Sequence, residues 1–302
     1  MMKTIKRYAI PQKTLEKWSR IFVPDRDFFY FRNKPDHFPS HKITEMNQTA
    51  FTLNVRTSFL TWSINKKAEY ICVMSNKEFQ ALSTIEKDTI IAEQKALNRG
   101  LVFTENELKG LMKNEDLLDT DNQLEILKRG ASFQDIVILQ KSNWDQVSKN
   151  AQHAILMNYA DEWIEEYALE PEIRESYQTR YPELYPYMDI FPEENGPNCL
   201  AAVASAILSS TDDIKRWMQV EPFLQLLEEN HYHHIETSSV QAEDVWIWFN
   251  EQDQVVHAAY LLSEKHAFNK HGQTMFNPWQ VIQINELKKA WADFAWRVYR
   301  KV

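Results

Sequence analysis

The chain has 302 residues, 44% hydrophobic and 25% charged, a composition typical of a globular protein rather than a disordered one. Its formal net charge of −9 argues against a general binder of nucleic-acid phosphates. No stretch approaches the roughly 20 apolar residues of a membrane helix, and no apolar segment of signal-peptide length follows the N-terminus. We therefore expect a cytoplasmic protein with no membrane span and no nucleic-acid partner, with signal-independent export left open.

The numbers of cysteines and glycines exclude further classes of protein and binding site. The two cysteines, Cys72 and Cys199, are too few for a disulfide scaffold and fit a reducing compartment. Cys72 lies in an apolar run and is predicted to be an inert core residue. With only five glycines, the chain has no Gly-rich phosphate loop or dinucleotide-binding fingerprint. The sequence implies no cofactor.

Residues 1–170 are predicted to form a mixed, mostly helical domain. The sequence does not indicate its role. Aromatic and apolar runs predict strands at 27–31, 51–55 and 68–74. Helical periodicity predicts helices at 14–18, 77–98 and 145–169, the second ending near Gly100 as its C-cap. Residues 104–107 have the pattern of a capping box before a further helix, and Gly130 is expected to end the helix after it. This domain could bind a partner protein, select a substrate or inhibit a site.

A Pro- and Tyr-rich connector is predicted over 171–195, followed by a second domain at 196–302. In this domain a helix begins after Asn198, and a helical region at 214–229 is expected to break at Pro222. Strands are then predicted at 244–249, 255–262, 266–270, 281–284 and 295–300, with a short helix at 286–291. A helix followed by an antiparallel meander is an α+β pattern.

Cys199 is the candidate nucleophile of this second domain. A Gly-Pro turn at 196–197 leads to Asn198, a favourable N-cap residue, so Cys199 falls in the first turn of the helix. Free N–H groups and the helix dipole stabilise a thiolate there. A small apolar residue could also simply be buried at this position.

A thiol nucleophile needs a base, and the base needs an orienting group. His257 lies in an otherwise apolar strand, where burying an imidazole costs free energy unless it has partners. Asn269 lies in the next strand, so antiparallel pairing can bring its amide to the imidazole and hold one tautomer. His266 is the alternative third residue, and a satisfied core histidine is the alternative role for His257.

These segments, in this order, resemble the NlpC/P60 group of papain-like cysteine peptidases. The resemblance covers about 196–300: residues 198–200 resemble the nucleophile turn, 243–248 the Gly-Asp strand entry, 257–261 the His strand, and 268–272 the segment of the third polar residue. Two features depart from the family pattern: Glu243 replaces the usual Gly, and Ser263-Glu264 replaces the Gly after the His strand.

The resemblance implies a papain-like antiparallel sheet with a nucleophile-bearing helix, preceded by the N-terminal domain. It also implies a cysteine hydrolase that cleaves a peptide or γ-glutamyl-type amide bond with Cys199, His257 and Asn269. Acyl transfer or deamidation by the same dyad, and an inactive interaction protein that retains the fold, are the alternatives.

Three residues are predicted to contact substrate: Tyr187, Asn198 and Lys270. Some relatives use an upstream tyrosine at the oxyanion, which indicates Tyr185 or Tyr187, although packing in the connector is the simpler role. Lys270 and His271 are expected in an exposed turn, where they could meet an anionic group. The histidines at 231, 233 and 234 are spaced poorly for one helix face, so no metal site is predicted.

Overall fold

The computed structural model describes residues 2–45, 51–58, 60, 66–98, 101–113, 119–165, 167–237 and 239–302. The protein is mixed α+β with antiparallel sheets, which confirms the predicted class. It divides into two compact units, one formed by Met1–Thr14 with Trp163–Val302 and the other by Leu15–Glu162. No helix among the described residues is long and apolar enough to span a membrane.

The units do not follow the predicted boundaries at 170 and 196. The connector residues 171–195 belong to the unit that contains the C-terminus, because four of their apolar side chains are part of its core: Tyr177, Tyr181, Leu184 and Met188. The first residues of the chain also belong to this unit. They form a hairpin of β1 (Met2–Ile5) and β2 (Tyr8–Pro11), followed by α1 (Gln12–Ile21).

The Leu15–Glu162 unit contains two three-stranded antiparallel sheets as well as helices. Its elements after α1 are β3 (Arg26–Phe31), β4 (His41–Lys42), a 3-10 turn (Ile43–Glu45), α2 (Leu53–Arg56), β5 (Tyr70–Ser75), α3 (Asn76–Gln80), α4 (Thr84–Leu97), β6 (Val102–Thr104), α5 (Glu105–Leu111), α6 (Thr120–Lys128), β7 (Ala131–Phe133), β8 (Ile136–Ile138), α7 (Lys141–Trp144) and α8 (Lys149–Glu162). The sheet orders are β3-β5-β4 and β6-β8-β7. Strands β3 and β5 and the capping box at Thr104 confirm their predictions.

Several local predictions in this unit are wrong for identifiable reasons. Residues 53–56 are helical rather than extended, because the Thr52 side chain accepts from the Val55 N–H and starts a helix. The single helix predicted at 77–98 is two helices, because Ser75 and Ser83 each form a capping box. Asn98, in the left-handed conformation, ends the second one; Gly100 lies outside the described residues.

The unit formed by Met1–Thr14 and Trp163–Val302 is built on a six-stranded sheet. Its further elements are α9 (Pro171–Ser176), a 3-10 turn (Tyr185–Tyr187), α10 (Cys199–Leu208), α11 (Val220–Glu229), β9 (Tyr232–Ile235), β10 (Val245–Phe249), β11 (Val255–Leu261), β12 (His266–Asn269), β13 (Gln280–Gln283), α12 (Ile284–Ala290) and β14 (Ala295–Lys301). The strand order is β13-β12-β11-β10-β14-β9, so β10 to β13 form the predicted meander.

Two predictions around α11 are corrected. Pro222 does not break a helix, because it lies in the first turn of α11, where its missing N–H has no intrahelical acceptor to satisfy. His233 and His234 lie in strand β9 rather than at a helix end.

The two faces of the six-stranded sheet bury different partners. On the helix face, side chains such as Ile247, Ala258 and Phe268 pack with residues of α10 and α11. On the opposite face, which we call the Trp face, Trp246 and Trp248 pack with residues of α12. Because side chains alternate along a strand, neighbouring residues of β11 and β12 contribute to different faces. This alternation decides which candidate site residues can meet.

Candidate active site

The first turn of α10 is held from two sides. Asn198 is its N-cap: its Oδ1 accepts from the Ala201 N–H at 3.0 Å, and its Nδ2 donates to the Met218 carbonyl at 2.8 Å. Gly196 has φ 127°, a conformation that side-chain-bearing residues rarely adopt, and its N–H donates to the Gln273 carbonyl at 2.8 Å. The predicted helix start is confirmed, and the turn places Cys199 in the first turn of the helix.

Cys199 is partly exposed and packs against the helix-face core. Burial raises the pKa of the Cys199 thiol above its ordinary value, whereas the N–H groups of Ala258 and Leu200 and the charge of Lys270 act to lower this pKa. The sulfur therefore lies against the peptide bond that joins His257 to Ala258. Cys199 thus contacts the backbone of strand β11 at Ala258, the residue after the predicted base His257.

His257 and Asn269 are in direct contact. The imidazole Nε2 and the Asn269 Oδ1 are 2.7 Å apart, and both residues are buried. An amide oxygen can only accept, so Nε2 carries the proton and Nδ1 keeps its lone pair. His266 forms its hydrogen bonds elsewhere, with Nδ1 2.9 Å from the Tyr177 hydroxyl. Asn269 is therefore the residue that orients this imidazole.

Aromatic rings enclose the imidazole of His257. The Trp291 ring stacks on it with centroids 4.0 Å apart and planes 9° from parallel, and Trp248 lies on the paired position of β10 at 5.3 Å. A hydrogen bond shielded from water in this way is stronger than an exposed one. Burial, followed by the neighbouring His271, lowers the pKa of His257 well below its ordinary value. The imidazole is neutral at pH 7.

The structure groups the predicted residues into two pairs. His257 and Asn269 lie on the Trp face, beside Trp248 and Trp291. Lys270 follows Asn269 and, by alternation, belongs to the helix face, where its charge acts on Cys199. No hydrogen bond joins the Cys199 thiol to the imidazole of His257, and Nδ1 has no hydrogen-bond partner among the described residues. The two pairs meet at the backbone of β11.

Lys270 is fully buried, so the exposed turn predicted for it is wrong. Its Nζ donates to the carbonyls of Gly272 and Thr274 at 2.6 and 3.1 Å, which hold the chain in a tight loop after β12. Burial lowers the pKa of Lys270 well below its ordinary value, and Cys199 acts in the opposite direction on this pKa. Lys270 therefore acts on the pKa of Cys199 from inside the protein and does not contact substrate from an exposed turn.

The other two predicted substrate contacts have structural partners. Both ends of the Asn198 amide are used in capping α10 and binding Met218, as described above. Tyr187 packs edge-on against Trp279 at 5.2 Å and lines a cavity of about 210 Å³ together with Lys13 and Glu193. This is a different cavity from the one next to the His257–Trp291 stack.

Several residues around His257 were not predicted from the sequence. Trp291 falls at the end of a short predicted helix, with no local pattern to indicate that its ring covers an imidazole. His271 is mostly buried, and its Nδ1 accepts from the Trp291 Nε1–H at 3.4 Å. Gln273 is buried in the loop that holds Gly196, and its Nε2 has no hydrogen-bond partner within the described part of the chain. The dense run of polar residues at 269–274 is the sequence feature that could have indicated His271 and Gln273.

A cavity of about 230 Å³ opens beside the stacked rings on the Trp face. Its lining includes His271 and Trp291, together with Trp163, Glu165 and Tyr167. Burial lowers the pKa of His271 to about 4, so this side chain adds no positive charge at pH 7. Across the described parts of the chain, no group of three or more His, Cys, Asp or Glu residues is arranged to hold a metal ion.

No protein-family model matches the chain, and searches among curated proteins and among solved structures find no match either.

Proposed function

We propose that the protein is a cysteine hydrolase of the papain-like, NlpC/P60 type that cleaves an amide bond. The observation that carries the proposal is the hydrogen bond between His257 Nε2 and Asn269 Oδ1 under the ring of Trp291. This contact leaves Nδ1 as the proton-accepting nitrogen of an imidazole whose own backbone adjoins Cys199, while the two side chains lie on opposite faces of β11. A general base with one tautomer enforced is the central requirement of a thiol nucleophile.

The reaction has two steps. Because the side chains of Cys199 and His257 lie on opposite faces of β11, this reaction requires the imidazole to reach the helix face when substrate binds. The Cys199 sulfur then attacks the amide carbonyl while its proton passes to His257 Nδ1, and His257 gives this proton to the leaving amine as the C–N bond breaks. Water, deprotonated by the same imidazole, attacks the resulting thioester and releases the acid and the free thiol. The Cys199 N–H stabilises the oxyanion.

The resting pair is neutral in this mechanism. The raised pKa of Cys199 and the lowered pKa of His257, both caused first by burial, disfavour a thiolate–imidazolium pair before substrate binds. The proton therefore moves during the attack on the carbonyl, when the developing negative charge passes to the oxyanion that the Cys199 N–H stabilises.

A panel of γ-glutamyl and peptidyl aminomethylcoumarin amides tests this function. We expect fluorescence release that falls to background in Cys199→Ala and by about 100-fold or more in His257→Ala, because general-base catalysis is typically worth 10²–10⁴. Acid quenching followed by mass spectrometry should trap an acyl group on Cys199. Cys72→Ala is the matched control, since this second thiol is buried in the other unit, and it should keep full activity. Hydrolysis that persists in Cys199→Ala would exclude the proposal.

A non-catalytic interaction protein is the second candidate, and the raised pKa of the Cys199 thiol favours it. In that case Cys199 and Lys270 form a structural contact below α10, and His257 is a core histidine satisfied by Asn269. The same panel separates the two functions, because the second candidate yields neither hydrolysis nor an acyl group on Cys199.

A further inference from the structure

The cavity on the Trp face has an unusual lining. Three of its ten lining residues are large aromatic side chains, Trp163, Tyr167 and Trp291, and one is a carboxylate, Glu165. None of the described residues that line it is a lysine or arginine. At about 230 Å³ it exceeds the roughly 150 Å³ that accommodates a benzene-sized molecule. It therefore has room for a small organic group.

Among the described residues, Glu165 is the one carboxylate that lines this cavity. The Tyr167 hydroxyl donates to Glu165 Oε2, while Oε1 has no hydrogen-bond partner among the described residues. His271 is neutral because burial lowers its pKa to about 4, and burial raises the pKa of Tyr167, so that its phenol also stays uncharged. Lys6 is the nearby cation, and its Nζ donates to the carbonyl of the lining residue Ile164 at 2.6 Å. An oriented carboxylate thus faces a site with aromatic walls.

We propose that this cavity binds an organic cation, with Glu165 as its counter-ion and the rings of Trp163, Tyr167 and Trp291 as its walls. Aromatic faces attract ammonium and quaternary ammonium groups through the negative potential above the ring, most strongly for Trp. A carboxylate with one free oxygen adds a charge-assisted contact. A neutral ligand of the same shape gains the apolar contacts but neither electrostatic contribution.

The cavity lies beside His257. Trp291 lines the cavity and also stacks on His257, and His271 lines it while accepting from the Trp291 indole.

Binding is tested on full-length Cys199→Ala with two probes that differ only in charge. Choline and its neutral isostere 3,3-dimethylbutan-1-ol are titrated by calorimetry or NMR, with choline expected to bind at about millimolar Kd and at least tenfold tighter than the alcohol. Glu165→Gln should remove this preference, and Trp163→Leu should weaken choline binding. Glu264→Gln, an exposed carboxylate in the β11–β12 turn, is the matched control and should bind as the parent does.

Equal binding of the two probes, no binding of either, or a preference that survives Glu165→Gln would overturn the cation site. If choline binds but no amide is hydrolysed, the hydrolase function fails and the cation site stands.

Discussion

The side-chain nitrogen of Lys270 is the charge that acts on the thiol of Cys199. Two carbonyls hold it in place, from Gly272 and Thr274, and no solvent reaches the side chain. A cation in this position stabilises the thiolate over the thiol. His271 is the other titratable group that Lys270 influences, and its pKa is lowered first by burial. Burial has the largest effect and raises the pKa of the Cys199 thiol, and Lys270 acts with the N–H groups of Ala258 and Leu200 to lower this pKa.

We expect Lys270→Met to slow the alkylation of Cys199. Loss of the positive charge raises the pKa of the thiol, so the midpoint of the alkylation profile moves to higher pH, and the iodoacetamide rate at pH 7.5 falls about threefold to tenfold. The rates are measured by mass spectrometry between pH 6 and 10 in a Cys72→Ala background.

Two further variants separate charge from structure. Lys270→Arg keeps the charge and should retain most of the parent profile, whereas a structural role would shift it as much as Lys270→Met does. Lys265→Met, an exposed lysine in the preceding turn, should leave the profile unchanged. An unshifted profile in Lys270→Met would contradict the charge-partner role.

At the scale of elements, strand β14 is attached to β10 by its ladder and by an ion pair between the half-buried Arg300 and the buried Asp244. Arg300 Nε and Nη2 each lie 2.7 Å from an oxygen of Asp244, whose side chain is fully buried. The second oxygen of Asp244 also accepts from the Gln241 N–H at 2.9 Å. The carboxylate thus holds the entry to β10 against the last strand.

We expect Arg300→Met to lower the free energy of unfolding by about 2–4 kcal/mol, because it leaves a buried carboxylate without its counter-ion. Arg297→Met in the same strand is the control: Arg297 pairs with Asp253 at the surface, where such pairs contribute about 1 kcal/mol or less. Urea denaturation of both variants gives the comparison. Equal losses of unfolding free energy in the two variants would show that the Asp244–Arg300 pair stabilises the protein no more than the surface pair does.

Across the whole molecule, the first residues of the chain complete the unit that contains the candidate site. The Ala9 N–H donates to the Asp189 carbonyl at 2.8 Å, and the Phe191 N–H donates to the Ala9 carbonyl at 3.1 Å. The fully buried Tyr8 donates its hydroxyl to Gln280 Oε1 at 2.6 Å. The contacts of Ala9 join the N-terminal hairpin to residues 189–191, and the contact of Tyr8 joins it to β13.

Tyr8→Phe should therefore destabilise the C-terminal part of the chain. It leaves the buried Gln280 oxygen without this donor, a change that typically costs about 1–2 kcal/mol. Hydrogen–deuterium exchange should show faster exchange at the amides of β13 (280–283) in the variant than in the parent. Unchanged protection of β13 would mean that the hairpin contributes nothing to the stability of this edge of the sheet.

The sequence by itself determined the local features of this protein. The N-cap at Asn198, the capping box at Thr104 and the strands of the C-terminal meander follow from hydrogen bonds and side-chain alternation within a few residues. The contact of His257 with Asn269 was also within reach of the sequence, because a short turn between two strands forces them to pair.

Only the tertiary structure decided what depends on residues far apart in the chain. The stacking of Trp291 on His257, the burial of Lys270 beside Cys199 and the inclusion of residues 1–14 in the C-terminal unit each require the sheet to be assembled. Local pattern cannot supply them, because alternation assigns a side chain to a face but not to the element that covers this face. The same limit applies to α2, where a capping threonine outweighed an apparent strand pattern.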